Sequence, residues 1–405
     1  MHIGLCSPHW PPAKGANGIV SYVSAIRDHF LAEGHRVSII SGNHLYPDDS
    51  APVALPAPSP AARLRRNVRW RIDRLLGRQP GALPDVGREL ARDIAAAHRI
   101  RPLDIVEMED SFGWSSIVQQ KTGVPVVTRL HGPYFLKPLD DTDPAQLRAN
   151  RERCNAEAHA VRAARMVTAP NGAVLSATCV ESRRDPAKPS IVIANPIRID
   201  PARPQWQIDT CEPDHILAVG RFEHIKGPDT LFAAFERLLE TRPTARLTFV
   251  GPDIGIATGT GETIGFEAYV HANLSPRTRE RIDYRGQLRP EEIAPLRLKA
   301  NVTVISSRCE VFPYALLEGM AAGSPMISTD WPGSEDIIIH GETGLLTPVA
   351  QPEALAQAIE RLLADPQETA RMASAGHDRC ATAFSVEVVG NQLLDCYAAT
   401  LRAAV

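Results

Sequence analysis

The chain has 405 residues, of which 44% are hydrophobic and 22% charged, a balance that excludes the disordered, collagenous and disulfide-stapled classes. Because single cores seldom grow past ~250 to 300 residues, this length predicts two α/β domains. A formal net charge of −3 offers no global attraction to phosphate backbones, which excludes nucleic acid as a main partner outside a local basic patch.

The opening MHIGLCSPHWPP lacks a basic start followed by an apolar region, and no run of ~20 apolar residues appears, so a cytoplasmic location is expected. HIGLCS reads as a strand, a Pro/Gly loop runs to Gly18, a helical pattern continues to Glu33, and HRVSII is a second strand: a βαβ unit. Apolar runs at 104 to 108, 124 to 130, 166 to 169 and 191 to 194 alternate with helical stretches, as a parallel sheet requires. The first domain is thus expected over 1–194 and a second, Rossmann-like like the first, over 195–384. NPIRIDPARPQW is rich in Pro and Arg and reads as the linker between them. The second series has strands at 215 to 220, 245 to 251, 281 to 286, 301 to 306 and 325 to 329, with helices over 228 to 240 and 314 to 322. From Pro352 onward the pattern is helical, with breaks near Asp365 and Phe384, and a terminal helix such as the one over about 385–405 often returns across the other domain.

Ligands of doubly wound sheets bind beyond the carboxyl ends of the strands, so the loops there carry the chemistry. HILAVG ends in Gly220, and Arg221 and Lys226 follow, two cations able to hold a diphosphate, or two solvated basic side chains. SSRCEVFPYALLEGMAAGSP places Glu310 after a strand and Glu318 eight residues later, about two turns into a helix started by Pro313. A helix start presents N–H groups to an anion, and a carboxylate can accept both hydroxyls of a vicinal diol such as a ribose. Each acid alone would read as an exposed loop or helix residue; the whole phrase does not.

With these phrases the sequence resembles glycosyltransferase family 4, whose members have the GT-B fold: two facing Rossmann-like domains with a central cleft and C-terminal helices. The matching segments are PPAKGANG, HGPY at 131 to 134, ANPI at 194 to 197, VGRFEHIKG, EVFPYALLEGMAAGSPMIST and GETGLLTP at 341 to 348. The resemblance implies that Arg221 and Lys226 bind the donor diphosphate, that Glu318 holds the ribose, and that Glu310 contacts the donor sugar's hydroxyls beside the reacting carbon. Backbone amides of Val311, Phe312 and Tyr314 would line sugar and phosphate. His131 matches the histidine presented to the donor sugar, although a lone loop histidine is also a core residue in many folds. Gly15 and Gly18 match the glycine-rich first loop, with Ala16 and Asn17 between them where family members often have adjacent glycines.

The activity implied is a retaining transfer of a hexosyl-type sugar from a nucleotide diphosphate, UDP first and GDP second, to an acceptor hydroxyl. Glycan, lipid-linked and small-molecule acceptors all fit, as in polysaccharide or glycolipid assembly, and the alternative is a non-catalytic nucleotide-sugar-binding scaffold. No cofactor or metal is expected: the DTD triplet at Asp141 to Asp143 reads as a helix N-cap before Pro144. Glu107, Glu109 and Asp110 follow a strand and could meet an acceptor, with Trp10 and Trp114 as stacking candidates, or all five are ordinary loop residues. The seven scattered cysteines are expected as reduced, mostly buried thiols, and nothing in the sequence supplies Cys309 with an activating base.

Residues 63 to 78, RLRRNVRWRIDRLLGR, carry seven arginines against one acid, with Leu64, Val68, Ile72, Leu75 and Leu76 at helical spacing. Two readings compete: peripheral contact with an anionic membrane or acceptor, or a surface helix whose apolar side packs on its own domain.

Overall fold

A computed structural model describes residues 1–12, 18–57, 60–75, 83–136, 144–257 and 262–403. Gly15, Ala16, Asn17, the Asp141–Asp143 triplet and residues 76–78 of the basic segment lie outside the described residues. The chain divides into two compact units, Met1–Pro196 with Val386–Val405, and Ile197–Ser385.

Unit 1 is built on eight strands: β1 (His2–Cys6), β2 (Arg36–Ser41), β3 (His44–Pro47), β4 (Val53–Ala54), β5 (Ile105–Glu109), β6 (Val126–Arg129), β7 (Met166–Ala169) and β8 (Ser190–Val192). Their order is β4-β3-β2-β1-β5-β6-β7-β8. From β2 to β8 every pair is parallel, and β3 and β4 add an antiparallel edge. The helices are α1 (Gly18–Ala32), α2 (Pro60–Leu75), α3 (Leu83–Ile100), α4 (Trp114–Thr122), α5 (Pro144–Ala163) and α6 (Gly172–Ser182). Central strands are buried on both faces, which is why VVTR and MVTA do not alternate buried with exposed positions, and even Thr128, Arg129 and Thr168 are buried.

Unit 2 holds a six-stranded parallel sheet ordered β14-β11-β9-β15-β16-β17. Its strands, with those of a small side sheet, are β9 (His215–Val219), β10 (Phe222–Glu223), β11 (Arg246–Val250), β12 (Asp253–Ala257), β13 (Thr263–Ile264), β14 (Ile282–Tyr284), β15 (Val302–Ile305), β16 (Met326–Thr329) and β17 (Leu345–Thr347). The helices are α7 (Pro228–Thr241), α8 (Phe266–Asn273), α9 (Pro276–Arg279), α10 (Pro290–Lys299), α11 (Tyr314–Ala321), α12 (Pro352–Ala364) and α13 (Pro366–Arg379). An aromatic knot of Phe222, Phe232, Phe249 and Phe266 fills the core beside β9, with ring centroids 5.6 to 6.3 Å apart. Trp206, within the segment expected to be a linker, is buried here, and its Nε1 donates to the carbonyl of Ala300 at 2.8 Å.

The last helix, α14 (Val386–Arg402), belongs to unit 1. Tyr397 lies edge-on to Phe30 of α1, with centroids 5.8 Å apart, and its hydroxyl donates to Oε2 of Glu107 at 2.8 Å. Burial pushes the Glu107 carboxyl up, while Arg129 and hydrogen bonds from Tyr397 and Tyr22 pull it down. Glu107 therefore faces the core, contrary to the expectation that it meets an acceptor. Tyr397→Phe leaves that buried oxygen without its donor and should cost about 1–3 kcal/mol in urea unfolding; an unchanged midpoint would show that the hydroxyl does not stabilise this acid.

The thiols depart from expectation. Cys380 and Cys396 are buried, but Cys6, Cys154, Cys179 and Cys211 are only half-buried, and Cys309 is exposed because it stands in a strand-end loop.

Candidate functional site

In unit 2 the sheet order reverses between β9 and β15, its topological switch point, the place where doubly wound sheets bind ligands beyond the carboxyl ends of their strands. Arg221 and Lys226 follow β9, and Glu310 and Glu318 follow β15, so all four candidates issue from the two strands that flank this point. Nζ of Lys226 donates to Oε1 of Glu310 at 2.6 Å, and the Ser307 hydroxyl donates to the same oxygen at 2.7 Å. Both partners of this ion pair are largely buried, with side chains 20% and 12% exposed. Arg221 stands differently: its side chain is 54% exposed and pairs with Glu223 at 2.6 Å.

The backbone holds the two loops flush. Gly227 has φ +64°, a left-handed conformation, and a Cβ there would collide with the carbonyl oxygen of Ser306. Arg308 clamps the same loops, since its guanidinium pairs with Asp229 at 2.6 Å and donates to the His224 carbonyl at 2.7 Å. Burial alone would raise the Asp229 carboxyl, but the hydrogen bonds and charge of Arg308 hold it below its ordinary value. The Ser306 hydroxyl donates to the Lys226 carbonyl at 2.9 Å, and the Thr329 hydroxyl donates to the carbonyl of Ser307.

Glu318 is the fifth residue of α11, so it lies just over one turn in rather than two. Pro313 is the N-cap, because φ −73° with ψ 123° lets proline precede the helix but not extend it backward. Oε2 of Glu318 accepts from Nη2 of Arg297 at 2.6 Å, and Arg297 is itself buried. Phe312 is buried with its ring edge-on to Phe384 at 5.7 Å, so its side chain serves the core; Val311 and Tyr314 are half-buried. A cavity of about 400 Å³ in this unit, lined by His215, Arg246 and Asp283, opens at the opposite end of the strands and contains none of the four candidates.

Unit 1 also has a switch point, between β1 and β5. Gly18 is exposed and opens α1 after β1. His131 follows β6; its backbone N–H donates to Oδ1 of Asp110 at 2.7 Å, and its ring lies edge-on to Tyr22, with centroids 5.1 Å apart. Arg129 is fully buried and donates to the carbonyls of Ile193 and Ala194 and to Oδ1 of Asn195, at 2.7, 3.1 and 2.7 Å. Glu157, also fully buried, receives the N–H groups of Phe112 and Tyr134 at 2.9 and 2.5 Å, tying the loop after β5 to the loop after β6. Phe112 is held at φ 59°, and Gly113 at φ 70° lies so close to Ala156 that a Cβ would strike its carbonyl. Glu109 and Trp114 line a cavity of about 470 Å³ with Cys6, Asn43 and Glu89. Trp10, half-buried, is not among its lining residues.

Two titrations follow. Burial, opposed by the His131 N–H and aided by Glu157 and Glu109, pushes the Asp110 carboxyl up to about 7. Burial and then Arg129 push the His131 imidazole down to about 3, so it is neutral and available as a hydrogen-bonding group rather than a cation. For Asp110 the folded value exceeds the unfolded one of about 3.9, so its stabilisation, full at lower pH, is lost as pH rises toward about 7. His131, depressed on folding, acts oppositely and destabilises as pH falls below about 6.5. Asp110→Asn should therefore gain stability relative to the natural chain between pH 4 and 7, and a pH-independent difference in urea midpoints would refute the Asp110 assignment.

Sequence reasoning missed Arg297, Ser307, Arg308, Asp229 and Glu157. Their partners lie between 3 and 84 residues away, and apart from Ser307 none is within a helical turn of the group it positions. Among the described residues no cluster of His, Cys, Asp and Glu fit to hold a metal ion occurs.

Comparison with known proteins adds the following. A model described as Glycosyltransferase Family 4 matches residues 16–200, and one described as Glycosyl transferases group 1 matches residues 201–379. Glycogen synthase of Mycobacterium tuberculosis is 30% identical over 190 residues, 47% of this chain and 44% of that protein. D-inositol 3-phosphate glycosyltransferase of Streptomyces avermitilis is 30% identical over 191 residues, 46% of this chain and 40% of that protein. The chain thus matches less than half the length of either relative. Sucrose-phosphate synthase from Thermosynechococcus elongatus superposes with a TM-score of 0.74 at 21% identity over 99% of both chains. Anabaena HepE in complex with UDP does so with a TM-score of 0.66 at 16% identity, covering 98% of this chain and 99% of that one. At these identities the likeness is one of fold, GT-B.

Proposed function

Because the chain belongs to glycosyltransferase family 4, we propose that it transfers a hexosyl sugar from a nucleotide diphosphate to an acceptor hydroxyl with retention of configuration. The observation that carries this reading is the 2.6 Å pair of Lys226 with Glu310 at the switch point of unit 2, where Arg221 and Glu318 follow the same two strands. Lys226 and Arg221 stabilise the charge that develops on the departing diphosphate. Glu310 turns its second oxygen to the sugar hydroxyls, and Glu318, oriented by Arg297, takes the ribose diol.

In the transfer the bond from the anomeric carbon to the phosphate oxygen breaks, and the acceptor oxygen attacks the same face. The acceptor proton passes to the departing phosphate oxygen. His131 is the neutral imidazole on unit 1 that donates to or accepts from a sugar hydroxyl. No carboxylate is assigned as a nucleophile, and cations of the protein stand where a metal would otherwise balance the leaving charge. UDP is the first donor to examine, since HepE, a protein of the same fold, is solved in complex with UDP, and GDP the second. The acceptor is a glycan, a lipid-linked sugar or a small molecule.

The test is incubation with UDP- and GDP-sugars in the presence of a chelator, with released nucleotide and new glycoside followed by mass spectrometry and anomeric configuration by NMR. Transfer with retention is expected. Nucleotide binding without release under any donor would favour a scaffold, and neither binding nor release would sink the proposal.

A further inference from the structure

An amphipathic surface helix ordinarily hides its apolar stripe, since burying each large aliphatic side chain stabilises a fold by ~1.5 to 3 kcal/mol. Helix α2 does the reverse. Leu64, Val68, Ile72 and Leu75 recur at intervals of four, four and three residues and so share one face, yet they are 64%, 49%, 48% and 86% exposed. The expectation that this stripe packs on its own domain is overturned.

The same helix, PAARLRRNVRWRIDRL, contains arginine at 63, 65, 66, 69, 71 and 74 with Asp73 as its sole acid, in a chain whose formal net charge is −3. Cationic charge is thus concentrated on a helix that leaves an apolar stripe in water. Three occupants can be compared. A second copy of the chain would bring a second set of the same arginines to the contact, where like charges repel. A nucleic acid would neutralise the arginines but leave the aliphatic stripe in water. An anionic bilayer satisfies both, taking the stripe at the boundary of the acyl chains and the guanidinium groups among its phosphates.

We propose that α2 is a docking helix for an anionic lipid surface, lying in the interface with Leu64, Val68, Ile72 and Leu75 inserted. The candidate donor residues of unit 2 are not part of this surface, so the inference stands independently of the transfer reaction.

The test uses the full chain and vesicles of phosphatidylcholine alone or with ~30% phosphatidylglycerol, read by flotation. Flotation with the anionic vesicles only is expected, falling several-fold as salt is raised to ~0.5 M, where the screening length shrinks to about 4 Å. The double substitution Ile72→Glu with Leu75→Glu places charge on exposed positions and should lower vesicle binding about 10-fold or more, with far-ultraviolet circular dichroism unchanged. Arg63→Glu with Arg71→Glu, also at exposed positions, should lower it comparably. No flotation with anionic vesicles, equal flotation with both compositions, or binding indifferent to these substitutions would overturn the proposal. So would light scattering that shows a dimer which the Ile72 and Leu75 substitutions dissolve.

Discussion

Replacing Glu310 by glutamine is expected to lower turnover about 10²–10³-fold while a nucleotide diphosphate still binds. The natural carboxylate accepts from Lys226 Nζ at 2.6 Å and from the Ser307 hydroxyl at 2.7 Å through one oxygen, Oε1. Glutamine has the same outline but only one acceptor oxygen. If that oxygen stays with Lys226, the amide nitrogen, a donor, stands where the second carboxylate oxygen would accept from a sugar hydroxyl. If the amide turns over, two donors confront the ammonium group. Either way Lys226 loses its counter-charge, so the field that balances the leaving diphosphate changes as well. Initial rates with saturating donor, together with calorimetric titration of the free nucleotide, separate the effects: turnover falls and nucleotide affinity holds. Arg221→Ala should instead weaken both, because that cation is assigned to the diphosphate itself. Full turnover in Glu310→Gln would overturn its assignment.

Arg129→Met should destabilise the protein by about 3–5 kcal/mol, the range for removing one member of a buried charged set. The guanidinium is wholly buried, and it serves the carbonyls of Ile193 and Ala194, the Asn195 side chain and the face of Tyr22, 5.0 Å from its ring centroid. It also balances the buried Glu107. Methionine fills much of the volume and satisfies none of these groups. Urea unfolding measures the loss, and a change below about 1 kcal/mol would show that the carbonyls find other donors on relaxation.

Legibility in the sequence followed the range of the interactions. Parallel strands such as NVTVIS and ARLTFVG carry apolar side chains on both faces because both faces are covered, so their pattern is local and readable. The edge strands β3 and β4 were not read: HLYP and VA are too short to show a period, and the antiparallel edge ends in Pro47. The short strand β17 lies within GETGLLTP, where three residues between Gly344 and Pro348 are too few to show a strand period. Glu310, Glu318, Arg221 and Lys226 could be singled out because strand ends in such sheets are where ligands meet the chain. Arg308 was invisible, since its carboxylate partner Asp229 lies 79 residues earlier and nothing local in SSRCE distinguishes a clamp from a solvated arginine. Arg297 was hidden likewise, in a helix whose pattern gives no sign that its cation turns inward toward Glu318. The exposed stripe of α2 was legible as a pattern, but whether it was covered was not, since the covering element is never written in the covered segment.

The placement of α14 has a consequence for synthesis. Residues 197–385 leave the ribosome before Tyr397 does, yet Tyr397 supplies the hydroxyl for Glu107 and the ring that meets Phe30. The half of the molecule translated first must therefore wait, one donor short at a buried acid, until the whole of the other half has emerged, and the half begun second is the first able to finish.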